Sequence, residues 1–150
     1  EFQIKWTHIG GGILYDSLLG FAGEILKSGS FHFTGNVSGN QIADLYAGNY
    51  YSCFINVSES EGLPVSIMEA QSYGIPVIAT DVGGTSEIVN NQNGLLLKAN
   101  PLPEEIAAAI SSVAFNEVLW ENKRKLSRSN WETNFCAVNN YKFFAENLLF

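Results

Sequence analysis

Two glutamates on either side of an apolar helix start are the residues of this chain whose types and spacing could do chemistry. Glu61 and Glu69 stand eight positions apart, and a Gly-Leu-Pro turn between them leads into an apolar helical run from Val65 to Tyr73. Pro64 suits the first position of a helix, because an N–H at that position would have no partner. Leu63 would then be the N-cap, and it has no side-chain oxygen to accept from the first-turn amides.

A helix start of this kind favours an anion. The amides of Val65, Ser66 and Ile67 are left without an intramolecular acceptor, and the helix dipole adds partial positive charge at the same end. Glu69 lies roughly 7.5 Å further along the axis, at ~1.5 Å per residue. A carboxylate there would repel a phosphate, but it can accept two hydrogen bonds from a sugar diol. The spacing therefore predicts a nucleotide, with phosphate at the helix start and ribose further along the helix.

The sequence around the two glutamates resembles that of a known enzyme family. Residues 55–89, INVSESEGLPVSIMEAQSYGIPVIATDVGGTSEIV, and the NGLLL that follows at 93–97 resemble the donor-binding half of retaining glycosyltransferases of the GT-B fold. The family is the one called group 1, or GT4, and its Glu-x7-Glu motif is matched by Glu61 and Glu69. The resemblance extends over residues 4–115 and is most specific between Ser58 and Gly94.

The resemblance implies a role for each matched residue. Glu69 would bind the ribose hydroxyls of a nucleotide-diphosphate sugar, and Glu61, the implied catalytic residue, would lie beside the transferred sugar and hold its hydroxyls. The other implied donor-binding residues are Gly62, Leu63, Pro64, Val65, Ser66, Gly10, Gly11, Asn36 and Val37. Backbone groups at the helix start would meet the sugar and pyrophosphate. The turn at 35–37 would touch the base through its main chain, and the glycines after His8 would border the same cleft.

Strands that alternate with helices predict an α/β sheet. The resemblance implies that the sheet is parallel and doubly wound, as in the Rossmann-like half of a GT-B enzyme. We expect a single donor-binding domain over residues 1–150. The predicted strands are 4–9, 31–34, 52–57, 76–80 and 95–97. The predicted helices are 14–28, 41–47 with Ser38 or Asn40 as its cap, 65–73, one that starts at Pro103, 118–128 and 135–149.

The opening of the family's half-domain has no counterpart in this chain. The resembled family begins with a strand and loop that supply an arginine and a lysine, whereas Glu1 to Gly10 match its second strand. We therefore expect a fragment, inactive alone, without its first strand and helix and without the N-terminal domain that binds the acceptor. The first strand is central in a sheet ordered 3-2-1-4-5-6, so its absence would leave two unpaired strand edges. Such edges could close by rearrangement or by self-association with a second copy.

Composition and charge exclude several classes of protein. A hydrophobic content of 46% over 150 residues supports a folded core rather than disorder, and a net charge of −7 disfavours nucleic acid as a partner. No apolar run reaches the ~20 residues that a membrane span needs, and no secretion signal opens the chain. We expect a cytoplasmic location, at the inner face of the membrane in a longer enzyme. The resemblance implies that no metal is needed, and the chain has no Asp-x-Asp metal motif, so we expect no metal and no cofactor besides the donor substrate.

Charge along the chain sets a further requirement. No lysine or arginine occurs between Lys27 and Lys98, the interval that holds both glutamates. Helix amides alone neutralise a pyrophosphate poorly, so basic groups must reach it from elsewhere. The acceptor implied by the resemblance is a saccharide or a lipid-linked glycan of polysaccharide biosynthesis.

Other interpretations of these residues stay open at this point. Gly10, Gly11 and Gly12 could begin a dinucleotide fingerprint, but Tyr15 stands where a third glycine is required. His8 could act as a general base, or it could be a strand histidine that its neighbours satisfy. At the level of function, the alternatives to a transferase are a nucleotide-sugar epimerase of the GT-B fold and a non-catalytic nucleotide-binding module.

Overall fold

The computed structural model describes residues 3–148 and forms an α/β fold in which every strand pair is parallel. In chain order the elements are β1 (Trp6–His8), α1 (Tyr15–Ile25), β2 (Phe31–Phe33), α2 (Gly39–Gly48), β3 (Phe54–Asn56), α3 (Val65–Ser72), β4 (Val77–Thr80), α4 (Thr85–Ile88), β5 (Gly94–Leu97), α5 (Pro103–Phe115), α6 (Glu117–Asn134) and α7 (Ala137–Asn147). The predicted fold class is confirmed.

The chain divides into two compact units, Glu1–Asn49 and Tyr50–Phe150. The smaller unit contains a sheet of β1 and β2, and the larger contains a sheet in the order β3-β4-β5. Within residues 3–148, β1 pairs only with β2 and β3 pairs only with β4. In this part of the chain, both strands therefore have one unpaired edge.

Aromatic packing and a helix cap organise the smaller unit. The ring of Phe33 lies 4.9 Å from Trp6 and 4.7 Å from His8, measured between centroids, so His8 takes part in the packing of this sheet. Helix α2 begins after Ser38, whose hydroxyl accepts from the Gln41 N–H while the Gln41 side chain accepts from the Ser38 N–H. This capping box satisfies two backbone N–H groups that would otherwise have no partner, and it shows that Ser38 rather than Asn40 is the cap.

Strand β4 is the centre of the larger unit, and all four of its residues are buried. On one face Val77 packs with Ile67 of α3, and on the other Ile78 packs with Trp120 of α6. Burial on both faces explains the uninterrupted apolar run of this strand, which is typical of parallel sheets. The sheet therefore fixes the position of the loops that leave β3 and β4.

Helix α6 attaches to the rest of the larger unit through polar side chains. Lys123 is buried, and its ammonium donates to the Gly94 carbonyl at 2.7 Å and also to the Asn91 carbonyl. Arg124 and Arg128 donate to the carbonyls of Gly74 and Ser72 at the C-terminal end of α3. The two arginines satisfy carbonyls at the end of α3 and hold this helix against α6. Lys123 attaches α6 to the start of β5 and to the loop before it.

Several helix bounds differ from their predictions. Helix α1 ends at Ile25 rather than at Ser28, and α2 spans Gly39–Gly48 rather than 41–47. Helix α6 continues to Asn134, six residues past the predicted end, and the predicted end of α7 at Leu149 lies outside the described residues. Across residues 3–148, no helix has the length and apolar character that crossing a membrane requires.

Candidate functional site

Helix α3 begins at Val65, the first residue of the predicted helical run, and Pro64 does not occupy the first helical position that the sequence suggested. Pro64 has φ −71° and ψ 105°, which makes it the N-cap, and Val65 is the first helical residue. The assignment of Leu63 as N-cap was therefore wrong, because proline fixes φ but leaves ψ free to be extended. Ile67 is a second correction, since its N–H donates to the Pro64 carbonyl at 3.2 Å. The first-turn amides without an acceptor among the described residues are those of Val65 and Ser66.

The start of α3 is open to solvent. No side chain caps it, and Val65 and Ser66 are both exposed. Glu69 lies one turn further along the helix and is exposed as well, while Ile67 and Ala70 are fully buried against the sheet. Residues three and four apart share a helix face, so Glu69 lies on the same side as Ser66 and Val65. Its carboxylate makes no hydrogen bond or ion pair with other residues of the 3–148 range.

Glu61 is half-buried in the loop that follows β3, and its carboxylate is held by neighbours. Its Oε1 accepts from the side-chain amide of Asn56 at 3.0 Å. Hydrogen bonds from the Ser58 hydroxyl and the Asn56 amide lower the pKa of the Glu61 carboxyl below its ordinary value. Glu61 thus stays ionised to a lower pH than a solvated glutamate, and it presents a fixed acceptor to any hydroxyl-bearing ligand.

Two neighbouring strands brace the loop that carries Glu61. The Thr80 hydroxyl at the end of β4 donates to the Ser58 carbonyl at 2.6 Å, and the Ser58 N–H donates to Asn56 Oδ1 at 3.1 Å. Asn56 and Thr80 are the last residues of β3 and β4. Neither residue was predicted from the sequence, although polar residues at the carboxyl ends of adjacent parallel strands are where α/β sheets place their ligand sites.

A glycine pair after β4 also packs against this loop. The Gly84 N–H donates to the Gly62 carbonyl at 2.7 Å. Gly83 has φ +54°, and a Cβ at this position would lie 1.8 Å from the carbonyl oxygen of Glu61. The backbone at Gly83 therefore packs directly against the backbone of Glu61, and only glycine fits at position 83.

The other predicted donor-binding residues lie in the smaller unit, in the turns that follow β1 and β2. Gly10 donates to the Gly35 carbonyl at 3.2 Å, and a Cβ on Gly11 would lie 2.6 Å from Oδ1 of Asn36. Val37 is half-buried next to them. The structure thus brings Gly10, Gly11 and Asn36 together in one unit. It brings Glu61, Gly62 and the start of α3 together in the other.

A glycine-rich turn of this kind differs from a dinucleotide fingerprint. Gly10 and Gly12 have φ of +128° and +132°, which the chain needs in order to reverse after β1. Tyr15 stands where the fingerprint requires its third glycine, and its hydroxyl donates to the Phe33 carbonyl at 3.3 Å. The side chain of Tyr15 ties α1 to β2. The close packing between helix and strand that the third glycine of a fingerprint allows is therefore not formed at position 15.

Other surface features lie away from Glu61. A groove at the C-terminal end of α3 is lined by Ser72, Tyr73, Gly74, Arg124, Lys125, Arg128 and Trp131. Both of its arginines donate to backbone carbonyls, so it belongs to the contact between α3 and α6. In the part of the chain that the structure describes, no three His, Cys, Asp or Glu side chains come together as metal ligands.

Sequence comparison relates most of the chain to one family. The family model described as "Glycosyl transferases group 1" matches residues 3–131. O-antigen biosynthesis glycosyltransferase WbnH of Escherichia coli is 36% identical over 90 residues, which cover 60% of this chain and 24% of WbnH. The uncharacterized glycosyltransferase MJ1178 of Methanocaldococcus jannaschii is 34% identical over 153 residues, 97% of this chain and 42% of that protein. The chain spans well under half the length of these relatives.

Structural comparison gives the same fold. Anabaena Alr3699/HepE in complex with UDP-glucose superposes with a TM-score of 0.82 at 22% identity, over 99% of this chain and 41% of that one. The C-terminal domain of the group 1 family protein LpcC from Francisella tularensis gives a TM-score of 0.68 at 21% identity, over 80% of this chain and 61% of that one. At these identities the likeness shows the fold, and the expected GT-B half-domain is confirmed.

Proposed function

Because the chain belongs to the group 1 glycosyl transferases, we propose that it is the donor-binding part of an enzyme that transfers a sugar from a nucleotide-diphosphate sugar, with retention. The observation that carries the proposal is the open start of α3, with Glu69 one turn further along and Glu61 braced in the preceding loop. Alr3699/HepE has been crystallised with UDP and with UDP-glucose, which supports a donor of this class.

The proposed roles follow from the charge of each group. The amides of Val65 and Ser66 bind the diphosphate, since they point an unpartnered donor pair at the anion. Glu69 accepts hydrogen bonds from the ribose hydroxyls, and Glu61 accepts from hydroxyls of the transferred sugar. Catalysis then consists of positioning the donor and stabilising the departing diphosphate, which is mainly an electrostatic task.

A second requirement concerns the leaving group. Between Lys27 and Lys98 the chain has no cation, so the basic groups that neutralise a departing diphosphate come from outside this interval. We propose that the 150-residue chain binds the donor weakly and does not turn it over alone. We propose that the acceptor is a saccharide or a lipid-linked glycan, and the name of WbnH, an O-antigen biosynthesis glycosyltransferase, supports an acceptor of polysaccharide biosynthesis.

Titration of the isotopically labelled 150-residue chain with nucleotides tests the proposal. We expect UDP or GDP, and their sugars, to bind with a Kd on the order of 1 mM, about −4 kcal/mol. The amide resonances of Val65 and Ser66 should shift most among those of the larger unit. Adenosine triphosphate serves as the control for unspecific binding of phosphate. A folded chain whose α3 resonances do not move with any nucleotide diphosphate would contradict the proposal.

We also propose that the unpaired edges of β1 and β3 lead to self-association of the isolated chain. Each edge presents a row of backbone donors and acceptors, which a second copy can pair in parallel or antiparallel register. Ile55 on β3 is 38% exposed, so the edge has apolar surface to bury as well. We expect sedimentation velocity to show a dimer or larger species whose fraction rises with concentration. A monomer at all concentrations would rule this out.

A further inference from the structure

We propose that Asn56 is a positioning residue of the donor site, which holds the carboxylate of Glu61 in place for the transferred sugar. The inference rests on the function proposed above. Asn56 ends β3, where it is paired in register with Ala79 of the buried strand β4. Its backbone is therefore fixed by the sheet rather than by the loop that it supports.

The side chain of Asn56 makes two hydrogen bonds, one as a donor and one as an acceptor. Its Nδ2 donates to Oε1 of Glu61 at 3.0 Å, and its Oδ1 accepts from the Ser58 N–H at 3.1 Å. Only one orientation of the amide satisfies both, because the reverse would set an oxygen against the carboxylate and an N–H₂ against an N–H. The loop amide at Ser58 thus orients the side chain, and the side chain orients Glu61.

The same contacts fix the charge state of Glu61. Donors at Ser58 and Asn56 lower the pKa of the Glu61 carboxyl, since hydrogen bonds to the ionised form stabilise it. An ionised carboxylate is an acceptor only, which matches the hydroxyls that a sugar presents. The Thr80 hydroxyl holds the Ser58 carbonyl at 2.6 Å, so the loop cannot easily drift away from Asn56.

Asn56→Asp separates the positioning role from a purely structural one. The variant keeps Oδ1 for the Ser58 N–H, but it replaces the donor toward Glu61 with a second carboxylate oxygen. Like charges at this distance raise the pKa of a carboxyl, so we expect the Glu61 titration midpoint to rise by about one pH unit or more. Carbon-13 detection of the glutamate side-chain carboxyls measures this directly. The carboxyls of adjoining elements, Glu59, Glu69, Asp81 and Glu87, are followed in the same titration.

Asn90→Asp is the matched control. The Asn90 Oδ1 accepts from the Gln92 N–H at 2.8 Å, which is the same bond to the amide two residues on that Asn56 makes. The substitution therefore adds the same charge to the same kind of turn, without a carboxylate partner. Asn56→Ser is the second variant, in case Asn56→Asp unfolds, because a serine hydroxyl can still accept from the Ser58 N–H. It should give a smaller rise in the Glu61 midpoint.

Binding completes the test. If the α3 resonances show that the native chain binds both ligands, Asn56→Asp should lower the affinity for the nucleotide-sugar about tenfold. The affinity for the nucleoside diphosphate should stay unchanged. A Glu61 midpoint that moves no more than in Asn90→Asp would overturn the inference, and so would an equal loss for both ligands. If the native chain binds no nucleotide, the proposed function fails, while the Glu61 midpoint still decides whether Asn56 controls this carboxylate.

Discussion

Gly83→Ala is expected to destabilise the larger unit by roughly 2–4 kcal/mol, the sum of backbone strain and a steric overlap. The residue adopts φ +54°, and the new Cβ would lie 1.8 Å from the carbonyl oxygen of Glu61. No rotamer change can relieve this overlap, because the backbone fixes the position of the Cβ and its partner is a backbone oxygen. Urea unfolding followed by far-UV circular dichroism and tryptophan fluorescence measures the loss.

The same substitution should also alter the site. The turn of Gly83 and Gly84 is pressed against the Glu61–Gly62 backbone, and the bond from the Gly84 N–H to the Gly62 carbonyl would lengthen if the loop moved away. Glu61 would then separate from Asn56, and its carboxyl pKa would return toward the ordinary value. Stability and the Glu61 titration midpoint should therefore change together in this one variant.

Two other glycines of the chain provide controls, one for the cost of a positive φ and one for adding a methyl group next to Glu61. Gly29 has φ +82°, and no atom lies within 4 Å of the position that a Cβ would take there, so Gly29→Ala measures the cost of the backbone conformation alone. Gly62→Ala adds a methyl group next to Glu61 in open space. If Gly83→Ala costs no more than Gly29→Ala, the close approach behind Glu61 is not what holds the loop.

Local signals in the sequence predicted the central strand of the larger unit. The apolar run from Pro76 to Thr80 predicted a strand buried on both faces, and β4 is that strand. In the smaller unit, the sequence predicted that Ser38 or Asn40 caps α2, and the structure shows that Ser38 is the cap, through a capping box whose two bonds lie within four residues. Such features are decided by neighbours in the chain, so a single sequence carries them.

Structural features that depend on contacts between residues far apart in the chain could not be predicted from local sequence signals. The last two turns of α6 are polar apart from Trp131, and they are held by contacts such as the one from the Asn130 amide to the Ile88 carbonyl at 3.1 Å. The approach of Gly83 to Glu61 joins two loops that are far apart in the chain. Pro64 fits both the first helical position and the N-cap, and only its ψ of 105° decides between them. The helix start was therefore located correctly to within a residue, while the contacts that brace the neighbouring loop were not predicted.

Glu69→Ala is expected to weaken the binding of a nucleoside diphosphate and of its sugar conjugate by the same factor, roughly 10- to 100-fold. Hydrogen bonds to a charged group contribute about 1.5–3 kcal/mol, and both ligands carry the ribose that this carboxylate would bind. Glu61→Ala should instead weaken only the binding of the sugar conjugate, because the proposed partner of Glu61 is the transferred sugar. The difference in affinity between UDP and UDP-glucose, measured by amide shifts in each variant, separates the two roles.

Glu59→Ala is the matched control for this pair, since Glu59 is an exposed glutamate in the same loop as Glu61 and its removal changes the net charge equally. It should leave both affinities within about twofold of the native chain. Equal losses for both ligands in Glu61→Ala would remove the proposed division of roles, because Glu61 would then act on the nucleotide as well. If Glu69→Ala left UDP binding intact, the ribose would not lie along α3, and the phosphate at the helix start would need a different orientation of the donor.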